Sequence, residues 1–336
     1  MTSLPNSSII SLSMMPRVYP SSASASFTLV LFVFVALVFN NDTNTTCQGV
    51  LHPLPRQGSI DHSNNEYPLT SGISIPLVGM GIGNLAHDSI PSVVRNQLAQ
   101  SSDNGGGRGI RLIDTASASN NEEILSRAIE SAGLLRSLKR TLRGNSEDDD
   151  DDAPIHIVTK VWYTHLGYER TKLSVMDSLQ KLQQQQSTTG SSSSKRLIYV
   201  HLLLHWPRCD DTITWMNCEE EENNLPIHVK NIGPPPHLDK NNAYKGSWKA
   251  LEDLYFEREQ LVLQQQSNSN NRFQLHIGSI GVSNFNIDDM KQLISMARVI
   301  PHIYQGDSWL VLHDPLLMDL LFEHKIFFQA YSIFER

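Results

Sequence analysis

Three apolar runs in this chain reach a group that could do chemistry: Ile110–Ile113 ends on Asp114, Ile155–Trp162 carries Lys160, and Leu197–Pro207 carries His205. A carboxylate beside an ammonium keeps the lysine charged and in place, and that cation lowers the pKa of an acid next to it. A neutral imidazole can orient a carbonyl oxygen by hydrogen bonding. Each residue alone has an ordinary structural role, as an N-cap aspartate, a snorkelling lysine or a hydrogen-bonded core histidine. Those roles explain the residues singly, but not why all three fall at the same level of successive apolar runs.

Positioning such groups requires a frame, and the pattern around them supplies one. Asp114 is followed by a small-residue loop that holds Ser119, and then by a helix over Glu122–Leu138. Strands at Ile155–Trp162, Leu197–Pro207, Leu275–Phe285, His302–Trp309 and Ile326–Ile333 alternate with helices at Glu169–Gln183, Ser247–Leu263, Ile287–Arg298 and Pro315–His324. Asn286 or Asn284 caps the third of these helices. Ahead of Asp114, Leu69–Leu85 reads as a hairpin turning at Ser71-Gly72, with Ile73–Met80 as its second arm. A helix over Pro91–Gln100 follows. Strands that are apolar throughout call for a parallel sheet covered by helices, an α/β fold. About seven such strands after the hairpin point to a (β/α)8 barrel of the TIM type, incomplete at its end. In a barrel the C-terminal strand ends share one rim, where Asp114, Lys160 and His205 can converge.

The bulk properties narrow the function. The chain has 336 residues, 40% of them hydrophobic, a formal charge of −8 and three cysteines. That balance, with no basic patch, excludes a nucleic-acid partner. The cysteines form no CxxC pair, so neither a disulfide-dense scaffold nor a cysteine-rich zinc site is present, and no metal is expected. Mean hydropathy is −0.28, lowered by polar inserts near 143–153, 183–195 and 264–272 and by a long loop over 206–246. The acidic run Glu147–Asp152 repels itself and reads as a solvated insert rather than a calcium loop.

The expected organisation is a leader over 1–45, a linker over 46–65 and a barrel domain over 66–336. Phe27–Phe39 is an unbroken apolar run of 13 residues, short for a span of about 20. It fits a signal peptide; an uncleaved signal anchor and a buried strand are the other readings. The expected location is the secretory pathway or a membrane surface reached through this segment. Asn41 and Asn44 begin glycosylation sequons that matter only there. In that compartment Cys209 and Cys218 could pair, the alternative being two unpaired loop thiols.

The ordered motifs carry a resemblance. Gly109–Glu123 (GIRLIDTASASNNEE), Thr159-Lys160-Val161-Trp162, His205-Trp206-Pro207, Gly281–Phe285 (GVSNF), Gln305 and Ala330-Tyr331-Ser332 together resemble an aldo-keto reductase from about Leu69 onward. The resemblance implies a (β/α)8 barrel that reduces a small aldehyde or ketone with NADPH, NADH being the other nicotinamide cofactor. It assigns Asp114, Lys160 and His205 to three places of a catalytic tetrad and puts Ser119 where the family has its proton-donating tyrosine. It assigns Ser283, Asn284 and Gln305 to the nicotinamide carboxamide, Tyr331 and the adjoining Ser332 to the ring, and Trp162 and Trp206 to the substrate pocket. Three departures accompany it. Ser119 replaces a phenol, with His205 or Tyr163 as substitute acids. Ile82-Gly83 stands in place of Thr-Trp. The chain stops at Arg336, after the seventh strand, so the eighth strand and its helix are expected to be missing and the barrel to be left with unpaired edges. The alternative to an active reductase is a catalytically impaired pseudoenzyme or a truncated gene product with residual dinucleotide binding. A glycosidase would need two carboxylates at strand ends, and only Asp114 is expected there.

Overall fold

The computed structural model describes residues 32–35, 65–99, 109–143, 153–183, 196–261 and 273–333. The acidic run, the glutamine and serine tracts and both sequons lie outside them.

Seven strands run parallel, each beside the next in chain order. They are β4 (Val78–Gly81), β5 (Leu112–Asp114), β6 (Ile155–Val161), β7 (Arg196–Leu204), β8 (Phe273–Ser283), β9 (Ile303–Asp307) and β10 (Phe327–Tyr331). The sheet curls into an incomplete barrel, as the sequence pattern implied. Every residue of β6 is buried, because one face looks into the barrel and the other lies under helices. Ile155, Ile157 and Val161 join the outer core with Val175 and Leu179 of α3 (Tyr168–Gln183). Val158 instead joins Leu112, Leu203, Ile303 and Phe327 inside the barrel.

The other covering helices are α1 (Ile90–Ala99), α2 (Glu122–Arg143), α6 (Ala243–Phe256), α7 (Ile287–Met296) and α9 (Pro315–Glu323). Asn286 caps α7 by accepting a hydrogen bond from the Asp289 amide at 2.8 Å. Asn284 is thereby free for other work. The stretch expected as one long loop holds two short helices, α4 (Cys218–Asn224) and α5 (Ile227–Lys230). A further short helix, α8 (Ser308–Leu312), follows β9.

The hairpin differs from expectation. Its arms are β2 (Glu66–Pro68) and β3 (Ser74–Pro76), antiparallel around Gly72, whose φ of 86° suits glycine. Ile73–Met80 is therefore not one arm. Leu77 ends that ladder by donating its amide to the Asn65 carbonyl at 2.9 Å, and β4 begins at the next residue against β5. Tyr67, Leu69 and Ile75 of the hairpin region close the floor of the barrel on the interior apolar cluster.

At the N-terminal end of the chain, β1 (Phe32–Val35) lies antiparallel to β4, Phe32 opposite Gly81 and Val35 opposite Val78. Its Cα atoms also come within 8 Å of those of β10. Part of the apolar leader run is thus a strand here, and the edge of β4 that was expected open carries a neighbour. Among the described residues no helix is long and apolar enough to cross a membrane.

Candidate active site

Asp114 ends β5, Lys160 is the next-to-last residue of β6, and His205 follows β7 directly. The parallel register brings all three to one rim. Lys160 Nζ donates to Asp114 Oδ1 at 2.6 Å and to the Thr115 carbonyl at 2.8 Å. Both side chains are almost wholly buried, so the pair persists only because each charge is compensated. The second Asp114 oxygen, Oδ2, accepts from Gln305 Nε2 at 2.7 Å. His205 is half-buried beside this pair, with its Nδ1 turned inward. Burial, and then the Lys160 charge, hold its imidazole well below the usual histidine range, so it is neutral. Its Nδ1 has no hydrogen-bond partner.

Ser119 is less well placed to act as an acid. It lies on a 3-10 turn over Ser117–Ser119, half-buried, with its hydroxyl beside Gly83. Among the described residues no hydrogen bond joins that hydroxyl to Asp114, Lys160 or His205. Its neighbour Ser117 touches the rim, donating to the Lys160 carbonyl at 2.9 Å. Tyr163 does not replace the acid either. Its hydroxyl donates to Glu221, and burial first, then that carboxylate, push its pKa upward. A phenol so held is a worse proton donor than a free one.

On the cofactor side, the register sets Ser283 beside Gln305 and Gln305 beside Gln329, a row across β8, β9 and β10. Ser283 Oγ is buried without a partner. Asn284, in the left-handed region at φ 61°, donates from Nδ2 to the His205 carbonyl at 3.0 Å and accepts from the Tyr331 hydroxyl at 2.6 Å. Burial, then Asp307, raise the Tyr331 pKa, so the hydroxyl stays protonated as that donor. Ser332 also has positive φ, 54°, which turns the chain sharply at the rim. The expected set is therefore gathered, but Gln305 is bonded to Asp114 rather than standing free. As a test of fit to a nicotinamide, the unpartnered Ser283 hydroxyl and the unpartnered His205 nitrogen supply polar atoms for a ligand at this rim, so the residues fit.

Trp162 and Trp206 form one wall. Trp162 meets His205 at 4.9 Å between ring centroids. A third ring, Trp215, lies 6.1 Å from Trp162 and 5.5 Å from Trp206. It sits in the loop closed by a Cys209–Cys218 disulfide. Both ends of this segment are anchored: Arg208 pairs with Asp289, and buried Arg170 grips Glu222 of α4 with two hydrogen bonds at 2.8 and 2.9 Å. The neighbouring Glu221 accepts from Trp162 Nε1 at 2.7 Å. Trp215 and Glu221 were not anticipated from the sequence; the two cysteines flanking Trp215 were the available signal. Asp211 with the cysteines makes the one group among the described residues with the geometry for a metal, but both thiols are consumed in the disulfide. Asp307 is a second carboxylate at a strand end, missed because its strand was read through to Trp309. It caps α8, accepting from the amides of Trp309 and Leu310 at 3.0 and 3.1 Å.

No family model matches the chain. Glyoxal reductase of Bacillus subtilis is 25% identical over 243 residues, covering 70% of this chain and 55% of that protein. Methylglyoxal reductase of Escherichia coli is 24% identical over 265 residues, covering 79% and 65%. Morphine 6-dehydrogenase of Pseudomonas putida is 25% identical over 238 residues, covering 70% and 52%. The chain thus spans little more than half the length of some of these relatives. Among solved structures, an aldo/keto reductase from Brucella melitensis aligns at a TM-score of 0.48 and 23% identity, covering 80% of this chain and 72% of that one. A Bombyx mori aldo-keto reductase in complex with NADP aligns at 0.47 and 20%, covering 80% and 66%. What the chain is similar to is consistently the aldo-keto reductases, at 24–25% identity.

Proposed function

We propose that this protein is an oxidoreductase that reduces a small aldehyde or ketone with NADPH. The observation that carries the reading is the buried Lys160–Asp114 pair beside a neutral His205 at one barrel rim. Ser283, Asn284 and Tyr331 would hold the nicotinamide end of the cofactor, which when bound supplies a hydride to the carbonyl carbon. Lys160 and His205 would bind the carbonyl oxygen, the first as a fixed cation and the second as a neutral donor, favouring the negative charge that develops there. Asp114 keeps Lys160 charged and aimed. Trp162, Trp206 and Trp215 exclude water and bind the apolar part of the substrate. The relatives named for glyoxal and methylglyoxal reduction support small carbonyl compounds as the class to try first.

A second reading, a dinucleotide-binding protein with impaired catalysis, is favoured by Ser119. A serine hydroxyl is a far weaker acid than a phenol, and this one is not hydrogen-bonded to the rim. Loss of a general acid typically costs ~10²–10⁴-fold in rate. The experiment is NADPH oxidation with methylglyoxal, run on the native chain and on Ser119→Tyr. A gain of ~10²–10⁴-fold in the variant supports the reductase reading with a disabled acid. No cofactor binding in either protein rejects both readings.

For location, we propose entry into the secretory pathway. The Cys209–Cys218 disulfide supports it, because disulfides persist in oxidising compartments, and the apolar Phe27–Phe39 run, part of which is strand β1, would then act as a signal that is not removed. Glycosidase-sensitive mass at Asn41 or Asn44 in the expressed protein is the check, and a protein recovered wholly in the cytosol rejects it.

A further inference from the structure

Gln329 is a buried amide with nothing to bond. It is 2% exposed, and neither its Oε1 nor its Nε2 has a hydrogen-bond partner. A protein interior seldom leaves both ends of a side-chain amide unmade, because each unpaired atom is costly.

Its direction follows from strand alternation. Phe327, two residues before, packs in the interior apolar cluster with Leu112, Val158, Leu203 and Ile303. Tyr331, two residues after, donates to Asn284 at the rim. Phe328 and Ala330 belong to the core beneath the helices. Gln329 therefore points into the barrel, just below the rim and above the apolar floor.

Across the sheet it is in register with Gln305, which is in register with Ser283. Adjacent strands are about 4.8 Å apart, so these three side chains form a row of interior polar groups. Gln305 in the middle gives its Nε2 to Asp114 Oδ2. Ser283 Oγ and the Gln329 amide flank it, and both are unpartnered.

We propose that Gln329 is a binding residue for the carboxamide of the nicotinamide, acting with Ser283. A primary carboxamide offers one acceptor oxygen and two N–H donors, and a glutamine amide offers the complementary pair. Two amides can bond reciprocally, N–H to O in each direction, which a carboxylic acid cannot do once ionised. The nearby Asp114 carboxylate adds repulsion against the acid form. The inference rests on the proposed use of a nicotinamide dinucleotide, and it gives Gln329 the role that Gln305, committed to Asp114, fills less freely.

The test is equilibrium binding followed by NADPH fluorescence, with thermal melting of the same samples. The proteins are the native full chain, Gln329→Leu and Gln329→Met, the last keeping the length of the side chain without its amide. The ligands are NADPH, its nicotinic-acid analogue and adenosine 2′,5′-bisphosphate, which lacks the nicotinamide. Both variants should bind NADPH about tenfold more weakly, the sum of two modest hydrogen bonds, and should keep native affinity for adenosine 2′,5′-bisphosphate. Native protein should prefer NADPH to the acid analogue, and the variants should lose much of that preference. Melting should be unchanged or higher in the variants, since no intramolecular bond is removed. Native NADPH affinity in both variants, or a fall in melting temperature with no change in ligand preference, overturns the proposal while leaving the cofactor reading intact. Absence of NADPH binding by the native chain overturns both.

Discussion

Two polar layers share the same strands, four residues apart, and only one of them has groups to spare. On β6 the lower layer has His156 and the upper Lys160; on β7 and just beyond it, His201 and His205; on β8, Ser279 and Ser283. The lower groups bond among themselves. His156 Nδ1 lies 3.1 Å from His201 Nε2, and His201 Nδ1 lies 2.8 Å from Ser279 Oγ. The rings of the two histidines stack within 7° of parallel. The upper layer has a tight Lys160–Asp114–Gln305 link, yet leaves His205 Nδ1 and Ser283 Oγ without partners. A closed set of hydrogen bonds stabilises the barrel, whereas a set with unspent atoms on an open rim is suited to a ligand. The histidine and serine pairs are alike in type, although His205 is half-buried where His201 is fully buried. What separates them is whether the partners come from the protein.

The sharpest way to break this contrast is at Lys160. Lys160→Met should abolish NADPH-dependent carbonyl reduction, read as initial rate with methylglyoxal. Turnover equal to native would remove the upper layer from the chemistry. The same variant leaves Asp114 buried without its cation, which typically costs 3–5 kcal/mol, so urea unfolding should be measured in parallel to separate the two effects.

The histidines offer a paired test. His201→Leu removes a group with two bonds and strands His156 and Ser279, for a loss of about 3 kcal/mol in urea unfolding. Any turnover of the native chain should survive in the folded fraction. His205→Leu should do the reverse, lowering turnover while stability stays within about 1 kcal/mol. If both variants behave alike, the two layers are not distinct.

Acid tests the lower layer through His201. Burial, and then the charge of His302, push the His201 pKa down to about 3, against about 6.5 for an unfolded histidine. Between those values the unfolded chain binds a proton that the folded chain refuses. The contribution of this group is therefore complete above about pH 6.5 and is lost as pH falls toward 3, at up to ~1.4 kcal/mol per pH unit. Unfolding measured at pH 7.0 and 5.5 should differ by about 1.2 kcal/mol from this residue, and His201→Leu should flatten the dependence. An equally steep curve in that variant would show that other groups control acid stability.

The serines give the smallest effect and the finest comparison. Ser279→Ala should cost about 1 kcal/mol by stranding His201 Nδ1 and should leave NADPH affinity unchanged. Ser283→Ala breaks no intramolecular bond, so melting should not move while NADPH binding weakens severalfold.

Much of this could be read from the chain. Apolar strands alternating with helices specified a parallel, helix-covered sheet, and with it a rim where Asp114, Lys160 and His205 meet. That inference is secure because strand direction alone puts C-terminal ends together, without knowledge of any side-chain contact. The hairpin was displaced because the expected arm changes partner at Leu77, from β2 on one side to β5 on the other, and an apolar run does not show where its partner changes. The pairing of Cys209 with Cys218 was one of two readings.

The partners were decided only by the fold. Periodicity tells which face a residue occupies, and His201 and His205 therefore look equivalent in sequence, as do Ser279 and Ser283. Gln305 bonds a residue 191 positions away, Tyr163 is taken by Glu221 of α4, 58 positions on, and Trp215 reaches the rim inside a disulfide-closed loop. Such contacts depend on how distant segments pack, since a side chain's free or bonded state is set by neighbours its own segment does not contain. The sequence by itself determined the scaffold and the charged pair on its rim. The tertiary structure decided which buried polar groups are spent, and so which ones, Gln329 among them, remain to bind something else.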